Sequence, residues 1–259
     1  MKSTIPAHLL HLVPKRFDVI GDVLVISIPP ELDNYKTQLV KKLIRKHKKT
    51  RTVLNKVGML NGERRTARFE ILFGDRTMTI HKEYGYRYKL DIQEVFFNSR
   101  LSYERKRVMS MVQPFENILV PFCGVGPFVI PAAACGANVV AIEKNPQGCK
   151  WLAENTRLNR VEENVSIIQG DVSYIINMLD QDFDRIILPI PYGMDHVIEN
   201  ISGMVKKTGT IHFYTFKKQY QIHDLIQQFS DMGFSVAFYR KSGNVAPGVS
   251  RWAFDLVKQ

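Results

Sequence analysis

Hydrophobic and polar positions recur with two different rhythms along the chain, and the change of rhythm divides it. Over 17–28 the run FDVIGDVLVISI is dense in valine and isoleucine and broken by Gly21-Asp22, which predicts a β-hairpin. Pro29-Pro30 stops it. Leu32, Tyr35, Leu39, Leu43 and Ile44 then recur at helical spacing, with Lys36, Lys41, Lys42, Arg45, Lys46, Lys48 and Lys49 on the other side. That pattern predicts an amphipathic helix with a basic outer face. Short strand-like runs follow over 51–97, separated by turn signals at Asn61-Gly62, Gly74-Asp75 and Gly85. The segment 99–112 (SRLSYERKRVMSMV) has a basic helical character and ends near Pro114.

Beyond Pro114 strands and helices alternate. Strands are predicted at 118–122, 137–142, 164–169, 185–188, 209–216 and 234–240, with helices at 127–135, 146–158, 172–179, 195–205 and 220–232. The alternating stretch 252–257 is expected to return beside the last strand. The organisation predicted is a basic α+β domain at 1–97, a linking helix at 98–114 and an α/β domain at 115–259. Its βα alternation implies a doubly wound, Rossmann-like sheet, mostly parallel with an antiparallel last strand.

Composition adds limits. Hydrophobic residues make up 45% and charged residues 24%, enough apolar material for a core. No window holds about eighteen consecutive apolar residues, so no membrane span is expected. The first residues carry prolines and histidines where a secretory signal needs an unbroken apolar run, which predicts a cytoplasmic protein. Cys123, Cys135 and Cys149 form no C-x-x-C pair, so neither a metal site nor a disulfide framework is expected. Charge changes the picture more. Residues 1–114 hold 23 Lys and Arg against 11 Asp and Glu, a net of +12, whereas 115–259 hold 13 against 14, a net of −1. A basic module joined to a neutral one suggests a polyanion-binding part and a small-ligand part.

The candidate chemistry gathers at predicted strand ends. The first strand of the back part runs into Phe122-Cys-Gly-Val-Gly-Pro-Phe128, a turn whose Gly124 and Gly126 allow close backbone approach to a ligand. Val129 stands where a dinucleotide fingerprint needs its last glycine, which argues against NAD and FAD. Glu143 ends the second strand, Gly170-Asp171 the third, and Leu188-Pro-Ile-Pro-Tyr192 the fourth. Taken singly, each acid reads as a helix cap or a solvated loop residue. Together they match the order of a class I methyltransferase, with one carboxylate for ribose hydroxyls and another for the adenine amino group. Arg100 and Glu104 stand four apart; alone they read as an i,i+4 ion pair.

Seven segments are specific in combination: FDVIGDVLVISIPPEL (17–32), TIHKEYGYRYKLD (79–91), VFFNSRLSYERKR (95–107), FCGVGPFVIP (122–131), AIEKNP (141–146), IHFYTF (211–216) and APGVSRWAFDL (246–256). Through them nearly the whole chain resembles the archaeal and eukaryotic tRNA (guanine-N1) methyltransferases and their wybutosine-pathway relatives, which transfer an aminocarboxypropyl group. The resemblance implies S-adenosylmethionine as cofactor and the anticodon region of tRNA as partner, with no membrane and no obligate protein partner, the chain acting as a monomer. It implies Glu104 as the base that takes the guanine N1 proton and Arg100 as the donor to O6. Arg105, Phe122, Gly124, Gly126, Phe128, Glu143, Asn145, Asp171, Val172 and Pro189 would contact the cofactor. Arg65, Pro191 and Tyr192 would contact the target base.

The aminocarboxypropyl branch tends to have glycine where Arg100 stands, so the resemblance favours methyl transfer. Three positions depart from the methyltransferase pattern: Pro189 replaces an asparagine, Val120 an acid, and Phe96 an aromatic hydroxyl. They keep open the aminocarboxypropyl reaction and a tRNA-binding paralogue without catalysis. A DNA or protein methyltransferase is disfavoured by the front part. For RNA contact, Lys41, Lys42, Lys46, Lys48, Arg64, Arg65 and Arg68 are candidates. The alternation of Tyr84, Tyr86 and Tyr88 with Arg87 and Lys89 fits base stacking, and fits an edge strand with one buried face slightly better.

Overall fold

The computed structural model describes residues 5–58 and 67–259. The chain divides into two compact units, residues 1–100 and 101–259. Arg64, Arg65 and the Asn61-Gly62 turn lie outside the described residues.

In the first unit, β1 (Asp18–Ile20) and β2 (Val23–Ile26) form the expected hairpin, Ile20 facing Val23 across Gly21-Asp22. Gly21 is required here. Its φ is +58°, and a Cβ on it would stand 2.1 Å from Thr79 Oγ1 and 2.6 Å from the Ile80 carbonyl. β3 (Thr52–Lys56) runs parallel to β2, and β4 (Phe69–Phe73) antiparallel to β3. A 3-10 turn at Pro30–Tyr35 leads into α1 (Lys36–Lys46). Leu39 and Val40 of α1 pack on Leu24, Ile26, Leu32 and Val53, while Lys41, Lys42, Arg45 and Lys46 are exposed. β5 (Met78–Glu83) and β6 (Tyr86–Asp91) form a separate hairpin in which Tyr88 is fully buried and Tyr84 exposed. One face of that ribbon is therefore core, as the edge-strand reading expects.

In the second unit, α2 (Ser102–Met109) precedes a seven-stranded sheet. β7 (Asn117–Pro121), β8 (Asn138–Glu143), β9 (Val165–Gln169), β10 (Phe183–Pro189) and β11 (Val205–Lys218) run parallel. β13 (Val249–Lys258) lies antiparallel between β11 and β12 (Phe234–Ala246). The spatial order is β12-β13-β11-β10-β7-β8-β9. This is the doubly wound sheet with one antiparallel strand that the alternation predicts. The last strand returns beside β12, as expected, and also pairs with β11 on its other edge.

The helices are α3 (Val129–Ala134), α4 (Pro146–Asn159), α5 (Val172–Ile175), α6 (Val197–Ile201) and α7 (Ile222–Asp231). α4 is bounded by local chemistry. The Asn145 side chain caps the Gln147 amide, Pro146 takes the first turn, and Arg160 closes the end in the left-handed region. α6 is shorter than the predicted 195–205. Asp195 binds the Thr215 hydroxyl and, at 3.0 Å, Lys217 Nζ, which holds it outside the helix.

Candidate active site

The predicted cofactor residues lie at the carboxyl ends of neighbouring strands. β7 ends at Pro121, and the following turn contains three positive φ angles: Phe122 (+54°), Gly124 (+55°) and Gly126 (+90°). Phe122 is the notable one, since a bulky side chain in that region costs about 1–3 kcal/mol and persists only where surroundings enforce it. A Cβ on Gly126 would stand 2.4 Å from Leu152 Cδ1 of α4, so the turn and the helix are fitted to each other.

The sequence suggested that amides of this turn would face a ligand. The structure commits three of them internally. Gly124 N donates to Glu143 Oε2 at 2.8 Å, Gly126 N to the Cys123 carbonyl at 3.0 Å, and Cys123 N to the Ile142 carbonyl at 3.2 Å. Glu143 Oε1 also accepts from Asn145 N at 2.8 Å. The turn thus fixes the Glu143 carboxylate at the end of β8 and leaves its remaining lone pairs for a ligand. One strand further, Asp171 caps α5, accepting from Ser173 N at 3.0 Å, and pairs with Lys144 Nζ at 3.1 Å. The Ser173 amide, outweighing partial burial, and then Lys144 hold its carboxyl below the usual aspartate value. Val172, the first residue of α5, is buried. Two carboxyl acceptors at adjacent strand ends suit a ligand that presents hydroxyl and amino donors.

Glu104 lies in α2 and is 2% exposed despite its charge; Arg105 beside it is buried too. Glu104 Oε2 accepts from Arg107 Nε at 2.9 Å and from the Tyr214 hydroxyl at 3.3 Å. Glu104 Oε1 accepts no hydrogen bond among the described residues, and Arg240 Nη1 stands 3.5 Å from it. Tyr214 ties this carboxylate to the strand ends. It is the register partner of Pro189 across β10 and β11, and its ring lies 5.6 Å from that of Phe128. Burial, then the charge of Glu104, pushes the Tyr214 hydroxyl well above its ordinary value, so it stays a donor. Pro191 and Tyr192 follow β10; Tyr192 is exposed, its ring 5.4 Å from Phe216. Val120 is fully buried in β7 as an apolar core residue.

Arg100 belongs to the first unit. It sits in a 3-10 turn at Ser99–Leu101 and donates from Nε to Asp18 Oδ1 at 2.6 Å, about half exposed.

Sequence reasoning missed Tyr214, Arg107 and the residues behind them. Asp255 takes Arg107 Nη1 and Nη2 at 2.5 and 3.1 Å. A signal existed: His212 and Tyr214 alternate with Ile211 and Phe213 in a buried strand, which places two polar side chains on one covered face.

This geometry has relatives. The model of the TRM5/TYW2 methyltransferase domain matches residues 79–235, and that of the TYW2 N-terminal domain matches 1–77. The tRNA (guanine(37)-N(1))-methyltransferase Trm5b of Pyrococcus abyssi is 37% identical over 213 residues, which cover 82% of this chain and 63% of Trm5b. Its crystal structure superposes with a TM-score of 0.87, covering 99% of this chain and 79% of that one. A Pyrococcus horikoshii tRNA(Phe) (4-demethylwyosine(37)-C(7)) aminocarboxypropyltransferase is 34% identical over 83% of this chain and 76% of its own length. The complex of aTrm5 and tRNALeu matches with a TM-score of 0.86 at 30% identity, covering 96% and 73% of the two chains. The chain spans less than two thirds of the Trm5b sequence it matches. With a family model over more than half its length, the chain belongs to the TRM5/TYW2 methyltransferase-domain family.

Proposed function

We propose that the chain is an S-adenosylmethionine-dependent tRNA methyltransferase acting on N1 of the guanine 3′ to the anticodon, position 37. The observation that carries this is the Glu104 carboxylate, buried with one oxygen held by Arg107 and Tyr214 and the other accepting no hydrogen bond among the described residues. Guanine N1 carries a proton at neutral pH, and a fixed, desolvated carboxylate whose second oxygen accepts no hydrogen bond among the described residues, with only the Arg240 guanidinium 3.5 Å away, is suited to removing it.

The acceptors at the strand ends fit the cofactor. Glu143, fixed by two amides, is placed to accept from ribose hydroxyls, and Asp171 from an adenine amino group. Bound there, S-adenosylmethionine would supply an electrophilic methyl group, its sulfur keeping the electron pair of the broken S–C bond and leaving as a neutral thioether. Phe122, Gly124, Gly126, Phe128, Asn145, Val172 and Pro189 shape the cradle, with Arg105 as a cationic partner. Glu104 Oε1 takes the N1 proton, which frees a nitrogen lone pair for the new bond. Arg100 offers its remaining N–H groups to the negative charge that develops on O6. Pro191 and Tyr192, which follow β10, contact the target base. The exposed lysines of α1 serve the tRNA backbone. The enzyme acts as a monomer in the cytoplasm, in keeping with its free thiols.

Incubating the protein with labelled cofactor and tRNA bearing an unmodified guanine at that position, followed by nucleoside mass analysis, tests the proposal. One methyl on that guanine, lost in Glu104→Gln, is the expected result; no product from the unaltered protein sinks it. A second reading, aminocarboxypropyl transfer, is favoured by the match of the front part to the TYW2 N-terminal domain. A product heavier by that group selects it.

A further inference from the structure

Six ionisable side chains lie in series in the second unit, and only Glu104 has a role so far. Glu116, just before β7, bonds Arg185 Nε and Nη2 with its two oxygens, both at 2.8 Å. Arg185 Nη1 stands 2.7 Å from His212 Nε2, and His212 Nδ1 2.6 Å from Asp255 Oδ1. Asp255 grips both Nη atoms of Arg107, and Arg107 Nε reaches Glu104. Arg185, His212, Asp255 and Glu104 are all under 9% exposed. Burying charge pairs in a core is seldom better for stability than apolar packing of the same shape.

The protons of the series follow from donor chemistry. Arginine only donates, so His212 Nε2 accepts from Arg185 and the imidazole is neutral, with its proton on Nδ1 and given to Asp255. Asp255 in turn occupies both Nη atoms of Arg107 and leaves Nε alone for Glu104. Arginine has no acceptor with which to relay a proton, and one stands at two places in the series, so it is a clamp and not a proton wire.

We propose that Asp255, braced by His212 and Arg185, is a positioning residue that turns the fork of Arg107 away from Glu104 and thereby leaves Glu104 Oε1 without a hydrogen bond from that guanidinium, as the proton acceptor. The inference rests on Glu104 being the base of the proposed reaction. Without Asp255, Glu104 is the carboxylate left beside Arg107, and the freed guanidinium swings to bind both of its oxygens. Arg107 from α2, Tyr214 from β11, Arg240 from β12 and, behind Arg107, Asp255 from β13 are the charged and titratable groups facing Glu104.

The test follows the Glu104 carboxyl by carbon-13 NMR titration, its resonance assigned by absence from Glu104→Gln, alongside single-turnover methyl transfer. In Asp255→Asn the Glu104 midpoint moves to lower pH. The rate falls on the order of 10- to 100-fold, the range seen when groups that orient a functional ligand are removed. S-adenosylmethionine affinity by calorimetry stays within about twofold, as expected for a residue that acts only through Arg107. In the double variant Asp255→Asn with Arg107→Met the midpoint moves the other way, because the cation itself is gone. An unmoved midpoint in folded Asp255→Asn, or displacement of both variants in the same direction, overturns the clamp. Should Asp255→Asn alone not fold, the double variant decides by its sign: a midpoint unchanged or lowered overturns the proposal. If the unaltered protein transfers no methyl group, the functional reading fails, and the carboxyl titration still judges the clamp.

Discussion

His212 and Asp255 are direct register partners across antiparallel strands β11 and β13, so both side chains rise from the same face of the sheet and meet at 2.6 Å. Burial, against the pull of Asp255 and with the help of Arg185 and Arg107, holds His212 below its ordinary value of 6.5. In the unfolded chain this histidine gains a proton below about pH 6.5, while in the folded one it resists. The unfolded state then binds more protons, so folding stability is lost as pH falls below 6.5 and is full above it. Urea unfolding at pH 7.5 and 5.5 is expected to show a loss from this residue of at most about 1.4 kcal/mol per pH unit. His212→Gln is expected to lack that component.

Gly126→Ala places a methyl group against Leu152 at a φ of +90°. The expected loss of stability is about 1–3 kcal/mol, read from denaturant unfolding. Weakened S-adenosylmethionine binding should accompany it. Adding Leu152→Ala relieves the contact but not the backbone strain, so stability is not expected to return to that of the unaltered protein.

Arg100 and Asp18 form an ion pair that is largely open to solvent. Such pairs contribute about 0–1 kcal/mol, so Asp18→Ala should leave the melting temperature close to its original value. Arg100→Ala is expected to cut the methyl-transfer rate about 10²–10³-fold, as for loss of one donor to a developing negative oxygen. A rate within about threefold of the original would remove Arg100 from the catalytic proposal.

Lys41, Lys42 and Lys46 are exposed on α1. If they meet tRNA phosphates, replacing all three with alanine should lower the slope of log affinity against log salt by about 2–3, since each phosphate neutralised contributes roughly 0.7–0.9. An unchanged slope would mean that this basic face is merely solvated.

The strand and helix order of the second unit was legible because each βα unit announces itself locally: Asn145-Pro146 starts α4, and apolar runs mark β7, β8 and β10. β11, β12 and β13 extend further than their apolar runs suggested. Gly243 and Asn244 look like loop residues by composition, yet antiparallel pairing with Arg251 and Ser250 of β13 makes them strand. The strand-end acids Glu143 and Asp171 were legible from position. Arg107 and Asp255 were not, because a charged residue in a helix and an aspartate in a strand reveal their pairing only when distant segments meet. Nor did spacing show that the Gly124 amide of the 122–128 turn serves Glu143.

β13 slots between β11 and β12, and its Asp255 holds Arg107 across a separation of 148 residues. During synthesis the candidate base emerges long before the residue that disciplines it. The sheet can form much of its parallel part first, but the site stays chemically unfinished until that antiparallel strand arrives, and a non-local closure of this length is among the slower events in folding. The buried network from Glu116 to Glu104 is thereby tied to completion of the sheet.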